Sequence, residues 1–318
     1  MLSNYFDSNF IVALGAVVPL FLLLLIGVGI RRAHLLTDVE LVHVNRMVFC
    51  VFFFCMMFYN IYTTDLADTF RPFLMLYGAG AVVLGFIGAM AIVPLFIKDN
   101  HRRGAMVQAI FRSNFVLMGI PIVANIFGDN ALAVPTMMIA IIVPIFNVLA
   151  VFELELFRGG TFNLLKILKG VLHNPMIIGA LLGAFFLFCG IHIPEPILKP
   201  IRQIGNATST IALMILGASF RFSSAKEHLK PLIACVFCRL VLLPSIFLPL
   251  AVYFGFRGID LVTLLAIFTT PCAIASYAMA QQMNSDAPLA GNTVVYTSAL
   301  SPLAIFLWIY AFKSLGYF

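Results

Sequence analysis

The sequence predicts an all-α polytopic membrane protein, with ten transmembrane helices arranged as two inverted five-helix repeats. Three observations carry that expectation. Of 318 residues, 62% are hydrophobic and only 10% are charged, where a soluble domain carries about 25% charged residues. The apolar residues fall into runs of about 20, long enough to cross a bilayer as helices, joined by short connectors. Two of these runs are interrupted at matching places, Arg112-Ser113-Asn114 and Thr270-Pro271-Cys272. Each break lies about ten residues, or about 15 Å of helix, into the fourth span of its half.

The spans are expected at about 10–30, 41–61, 72–97, 104–127, 131–156, 172–191, 197–220, 230–254, 261–283 and 289–315. The first run, Phe10 to Ile30, has no basic segment before it and is long enough to span, so it reads as a retained helix and not a cleavable signal. An odd number of spans per half makes the second half, 161–318, enter the membrane in the opposite sense to the first, 1–160. Between the halves, Thr161 to Gly170 has two readings. One is a short amphipathic surface helix, with Lys166 and Lys169 at the lipid headgroups and Leu164, Leu165 and Leu168 in the interface. The other is a plain connector. No polar stretch is long enough to hold a separate soluble domain.

Orientation follows from the basic residues of the short loops. Arg31, Arg32, Arg46, Lys98, Arg102, Arg103, Arg158, Lys166, Lys169, Arg221, Lys226 and Lys230 belong to odd-numbered loops, whereas Arg71, Lys199, Arg202, Arg257 and Lys313 lie on the other side. The odd loops are therefore expected in the cytoplasm, with both termini outside, in the inner (cytoplasmic) membrane. The net charge of +6 is accounted for by this asymmetry against anionic lipid, so no nucleic-acid partner is implied. The six cysteines all fall within expected spans. Cys235 and Cys238 form a C-x-x-C on an apolar helix without a second pair or a nearby histidine, so they read as small core residues and not as a metal or redox site.

Unwound backbone at membrane depth is tolerated only where protein or a water-filled cavity supplies hydrogen-bond partners. A matched pair of such breaks points to the substrate site of a secondary transporter. Arg112 and Arg239 are the two basic residues that fall inside spans. A charge there costs about 2.5–3.5 kcal/mol on insertion scales and faces a cavity or a partner. Arg112 offers a planar fork for a carboxylate; its alternative is to snorkel or to bond backbone carbonyls. Arg239 has the same two readings, with span ten or a carbonyl as its structural partner. Ser113 and Asn114 follow Arg112 in the break, and the Asn114 amide adds two donors. Asn147, in span five, is expected at similar depth. Pro271 makes the second break by removing a helix hydrogen bond. Thr270, Cys272, Ser276 and Tyr277 flank it, and each lines the cavity or bonds a neighbouring helix.

The run His173-Asn174-Pro175-Met176-Ile177-Ile178-Gly179-Ala180-Leu181-Leu182-Gly183, then Ile193-Pro194 and Leu216-Gly217-Ala218-Ser219, resembles the auxin efflux carrier family, which includes plant PIN-type carriers and bacterial malate and malonate carriers. Asn114 to Pro121 is similar to the family's fourth span, and Pro271, Ala280-Gln281-Gln282 and Asn292 to Pro302 to its ninth and tenth. The resemblance covers nearly the whole chain. It implies crossed broken helices four and nine, with a substrate-contacting asparagine at Asn114. It further implies a scaffold of spans one, two, six and seven, and a transport domain of spans three to five and eight to ten in an elevator-type homodimer. Where plant carriers carry a proline at the first crossing this chain has Ser113, and Phe52 to Met57 lacks the family's Leu-Pro pair. There is also no large hydrophilic mid-chain loop, so the chain is similar to a compact bacterial-type carrier.

Acidic residues are scarce in the spans. Glu153 and Glu155 stand at the cytoplasmic end of span five, where they are expected to pair with Arg158. No carboxylate is expected at mid-depth beside the breaks to form an acidic proton relay. Coupling to H⁺, or to Na⁺ held by backbone carbonyls, stays open, and no cofactor is required. His43 and His173 lie near span ends, where interfacial solvation is expected.

The leading expectation is a secondary transporter of small organic anions, mono- or dicarboxylates such as malate or malonate, working by alternating access. Two alternatives stand beside it: a carrier of auxin-like amphipathic acids, and a membrane receptor that binds without transport. An enzyme is not expected, since no acid–base pair shares one depth and no nucleotide loop, zinc spacing or serine–histidine–acid arrangement occurs.

Overall fold

The computed structural model describes residues 18–63, 71–128, 131–158, 164–220 and 229–318. Among them the regular elements are helices: α1 (18–32), α2 (Asp38–Tyr62), α3 (Pro72–Phe96), α4 (Asn100–Phe111), α5 (Phe115–Phe127), α6 (Ala133–Arg158), α7 (Leu164–Leu172), α8 (Pro175–Phe188), α9 (Glu195–Ser219), α10 (Leu229–Tyr253), α11 (Gly258–Thr269), α12 (Ala275–Gln282) and α13 (Ala287–Ser314). Five of these, α2, α3, α6, α10 and α13, are long and apolar enough to cross a membrane, and α5, α8 and α11 are shorter apolar helices.

Polarity is distributed inside-out. Leu76, Leu95, Phe96, Phe188 and Tyr253 are exposed, while Glu153, Arg239, Thr263, Thr293 and Ser301 are fully buried. That arrangement suits a chain whose solvent is lipid, where exposed surface is apolar and polar groups find partners within the protein. The protein is a multi-pass membrane protein.

The residues behind the family resemblance have structural work of their own. The Asn174 side chain caps α8 by accepting from the Met176 N–H at 3.0 Å, and Pro175 takes the first helical position, where its missing N–H costs nothing. Gly179 and Gly183 then let α8 meet α2 backbone to backbone. A Cβ at Gly179 would sit 2.5 Å from the Phe54 carbonyl oxygen, and one at Gly183 2.6 Å from that of Phe58. This is the small-xxx-small packing by which membrane helices approach closely. Gly217 and Gly27 do the same between α9 and α1, at 2.1 Å from Leu24 O and 2.0 Å from Met214 O.

Helix α8 covers 14 residues, fewer than the sequence expectation for the sixth span. Pro175 cannot continue the helix before it, and Gly190, at φ +64, closes the far end in a left-handed conformation. Helix α7 occupies Leu164–Leu172, with Leu165, Leu168 and Lys169 exposed. The rest of the expected surface helix, 161–163, lies outside the described residues, as do Arg221 and Lys226.

Prolines alone do not break helices here. Pro94, Pro121, Pro144, Pro200, Pro249 and Pro302 sit inside continuous helices. Two helices carry a π-type turn, Val48–Phe52 in α2 and Cys238–Leu242 in α10. Carbonyls in these turns bond to side chains of neighbouring helices: Thr208 Oγ1 donates to Phe52 O at 3.0 Å and Trp308 Nε1 to Leu240 O at 3.2 Å.

Helix α2 packs mainly on α8 and α9. Helix α3 packs on α4 and α6; α10, α11, α12 and α13 pack among themselves, with α10, α12 and α13 also on α4 and α11 on α5. Contacts of α12 with α2 and α9, and of α6 with α8, join these sets.

Candidate functional site

Helix α4 ends at Phe111 and α5 begins at Phe115, whereas α11 ends at Thr269 and α12 begins at Ala275. The two extended breaks meet in an antiparallel bridge between Ser113 and Cys272. Asn114 N donates to Pro271 O at 2.8 Å and Ala273 N to Arg112 O at 3.4 Å. The Cys272 N–H is taken by Thr297 Oγ1 of α13 at 3.1 Å. Each interruption thus finds partners in the other and in α13, as buried backbone must.

The carbonyls at the ends of α4 and α11 converge on Arg239. Its guanidinium donates to Thr270 O at 2.9 Å, Ile267 O at 2.6 Å, Phe111 O at 3.2 Å and Ile110 O at 3.3 Å. The π-type turn of α10 carries Arg239, so an irregular helix places the cation where two helix C-termini present partial negative charge. Of the two readings available from sequence, bonding to carbonyls describes this arginine.

Arg112 is held differently. Nη1 donates to Gln108 Oε1 at 3.4 Å and to the Met279 sulfur, and Nη2 donates to Asn147 Oδ1. Asn147 Nδ2 in turn donates to Met57 Sδ at 2.9 Å. All of these partners are neutral, and among the described residues neither Arg112 nor Arg239 forms an ion pair.

Arg112, Ser113, Asn114 and Asn147 line a cavity of about 60 Å³ together with Phe53, Met56 and Met57 of α2, Met176 of α8, Ser209 of α9 and Ala273, Ile274 and Ala275. Ser113 Oγ and Asn114 Nδ2 are buried without a hydrogen-bond partner. Buried polar groups are rarely left unmade, and these two orphans on one cavity wall present donors open to an acceptor. The first turn of α5 adjoins the same wall with N–H groups that have no intrahelical acceptor, whereas in α12 Ser276 N donates to Ala273 O at 3.0 Å and Tyr277 N to Ile274 O at 3.2 Å.

The other residues expected at the site lie around it. The Thr270 hydroxyl donates to Ala266 O at 2.8 Å, and Cys272 Sγ contacts Ser276 Oγ at 3.5 Å; both are buried away from the cavity. Pro271 contributes its carbonyl to the bridge. Tyr277 lines a second cavity of about 270 Å³, with Asp38, Leu41, Ser219, Gln281 and Asn292, at the ends of α2, α9 and α13.

The structure corrects one expectation and adds one residue. Glu155 pairs with Arg158 at 3.2 Å, but Glu153 turns inward and is fully buried beside Gln108. The apolar run Val148 to Phe152 that precedes it on α6 gives no sign of that direction in the sequence. Ser209 was not anticipated at the cavity, although the polar run Asn206-Ala207-Thr208-Ser209-Thr210 within an apolar span was a signal that could have found it.

A family model described as membrane transport protein matches residues 12–160 and 161–309. An uncharacterised transporter of Methanocaldococcus jannaschii is 25% identical over 233 residues, covering 70% of this chain and 74% of that protein.

Proposed function

The chain belongs to the membrane transport protein family, the auxin efflux carrier family that its motifs resemble, and is a transporter; from that membership and the crossing we propose a secondary carrier of small organic anions. Mono- or dicarboxylates such as malate or malonate are the substrate class. The observation that carries this reading is a buried guanidinium with only neutral partners, Arg112, sharing a cavity with two orphan groups, Asn114 Nδ2 and Ser113 Oγ. A carboxylate would satisfy all three, adding the missing countercharge and two acceptors.

In the proposed carrier the ten spans form two inverted repeats, α1 to α6 and α7 to α13, matching 1–160 and 161–318. The scaffold is α1, α2, α8 and α9, and the moving body is α3 to α6 with α10 to α13. The packing of α2 on α8 and α9, apart from most of the other helices, supports that division. The proposed carrier works by elevator-type alternating access as a homodimer, with odd loops in the cytoplasm and both termini outside, in the inner membrane. The 60 Å³ cavity is too small for a dicarboxylate, since ligand pockets hold about 300–1,000 Å³. Binding then requires the crossing to draw back from Phe53, Met56 and Met57, which is the movement alternating access needs.

The test is uptake of labelled malate, malonate and indole-3-acetate into proteoliposomes. Saturable uptake of a dicarboxylate, lost in Asn114→Asp, supports the reading, because that change keeps the side-chain shape but puts an acceptor and a negative charge on the anion's wall. Preference for indole-3-acetate would move the substrate class to amphipathic acids. Binding without flux of any acid would make the protein a receptor and overturn the reading.

A further inference from the structure

Glu153 is the one fully buried acidic side chain among the described residues, and Gln108 faces its carboxyl. It stands at one end of a short polar file. Gln108 lies beside it, and Gln108 Oε1 accepts from Arg112 at 3.4 Å. Gly104, one turn before Gln108 on α4, leaves room for the carboxyl. A methyl there would lie 3.4 Å from Glu153 Oε2 and 2.9 Å from Ser285 Oγ. Ser285 is partly exposed and donates to His101 O at 2.7 Å. The carboxyl therefore sits between the anion site and a hydroxyl at the protein's edge.

We propose that Glu153 is a proton-binding site coupled to Arg112, so that a substrate anion and a proton cross the membrane together. The proposal rests on the anion-carrier reading of the crossing and deepens it. Across Gln108 the Arg112 guanidinium faces both the Glu153 carboxyl and an arriving substrate carboxylate. Two carboxylates on one guanidinium leave a negative charge unbalanced in a dry interior, where that is expensive. One proton on a Glu153 oxygen, converting carboxylate to carboxylic acid, removes that charge, so the anion and the proton are held together. Release of the anion reverses both steps, and the proton leaves past Ser285.

The surroundings leave Arg112 as the charged side chain acting on Glu153. On its own helix Glu155 and Arg158 pair with each other, and at the edge Arg102 lies 3.6 Å from both Asp99 and Asp286. The ring of His101 is bonded to Asn284 O. None of these supplies Glu153 with a second countercharge.

The experiment compares the unaltered protein with Glu153→Gln in proteoliposomes whose membrane potential is held at zero, using labelled malonate and malate. Two modes are measured: exchange at equal pH, and net uptake into vesicles one pH unit more alkaline inside. The unaltered protein is expected to exchange and to accumulate anion up to about tenfold, the limit one proton per anion allows for one pH unit. Glu153→Gln is expected to retain measurable exchange and to lose the accumulation. Equal accumulation in both proteins, or exchange without any response to the gradient in the unaltered one, overturns the proposal and leaves the anion carrier standing. No exchange of either acid by the unaltered protein overturns the carrier reading itself. Should Glu153→Gln fail to fold, a pH-indicating dye with the unaltered protein in weakly buffered detergent decides the matter. About one proton taken up per malonate bound supports the site, and none overturns it.

Discussion

The backbone N–H of Asn114 donates to the carbonyl of Pro271 at 2.8 Å, so each interrupted helix supplies a partner that the other lacks. Two breaks separated by more than 150 positions in sequence therefore act as one element. Neither would be tolerable alone at membrane depth, where an unmade backbone hydrogen bond costs several kcal/mol. The same contact brings the first turns of α5 and α12 to one cavity and leaves the carbonyl ends of α4 and α11 to Arg239.

Arg239→Met should destabilise the protein by about 2–4 kcal/mol. Orphaned carbonyls cost about 1–3 kcal/mol each, offset in part by removal of a buried charge. The check is thermal stability in detergent without substrate. A melting temperature unchanged from the parent would show that the carbonyls of 110, 111, 267 and 270 find other partners.

Asn114→Ala should behave in the opposite way. Its Nδ2 has no internal partner, so stability should change by less than about 1 kcal/mol. Stabilisation by malonate should disappear. A large loss of stability with ligand response intact would make Asn114 a structural tie.

Thr297→Val keeps the side-chain volume but removes the hydroxyl that accepts from Cys272 N at 3.1 Å. One buried N–H is left unmade, at a cost of about 1–3 kcal/mol. Thr297→Ser should restore most of it. Equal stability of the valine and serine variants would contradict the role given to the hydroxyl.

Gly183→Val should force α2 and α8 apart, because even its Cβ would lie 2.6 Å from Phe58 O, and backbone cannot yield as a side chain can. Overpacking of this kind costs about 1–3 kcal/mol. Gly80→Ala is the control, since nothing lies within 4 Å of a Cβ there. Similar melting temperatures for the two variants would remove the close helix contact.

Membrane class, the places of the breaks and most helix ends were legible in the sequence, because apolar run length, Pro175 and the Arg112-Ser113-Asn114 interruption are local facts. The roles of the two arginines were not. Both lie about ten residues into an apolar run, and depth alone gives them the same status. Their fates differ through contacts distant in sequence: Arg239 reaches Ile110 and Phe111 on another broken helix, while Arg112 reaches Asn147, Gln108 and Met279 beside the cavity. Glu153 was misjudged for the same reason. One residue separates it from Glu155, and rotation about α6 sends one carboxylate to Arg158 and the other into the core.

Composition and spacing by themselves determined that this chain lives in lipid and where its helices are interrupted, since desolvation of backbone and charge acts on every residue whatever its neighbours. Tertiary structure alone decided which polar groups are satisfied by the protein and which are left facing a cavity. That depends on the crossing of two breaks and on the side of each helix that meets it, and a linear pattern carries neither.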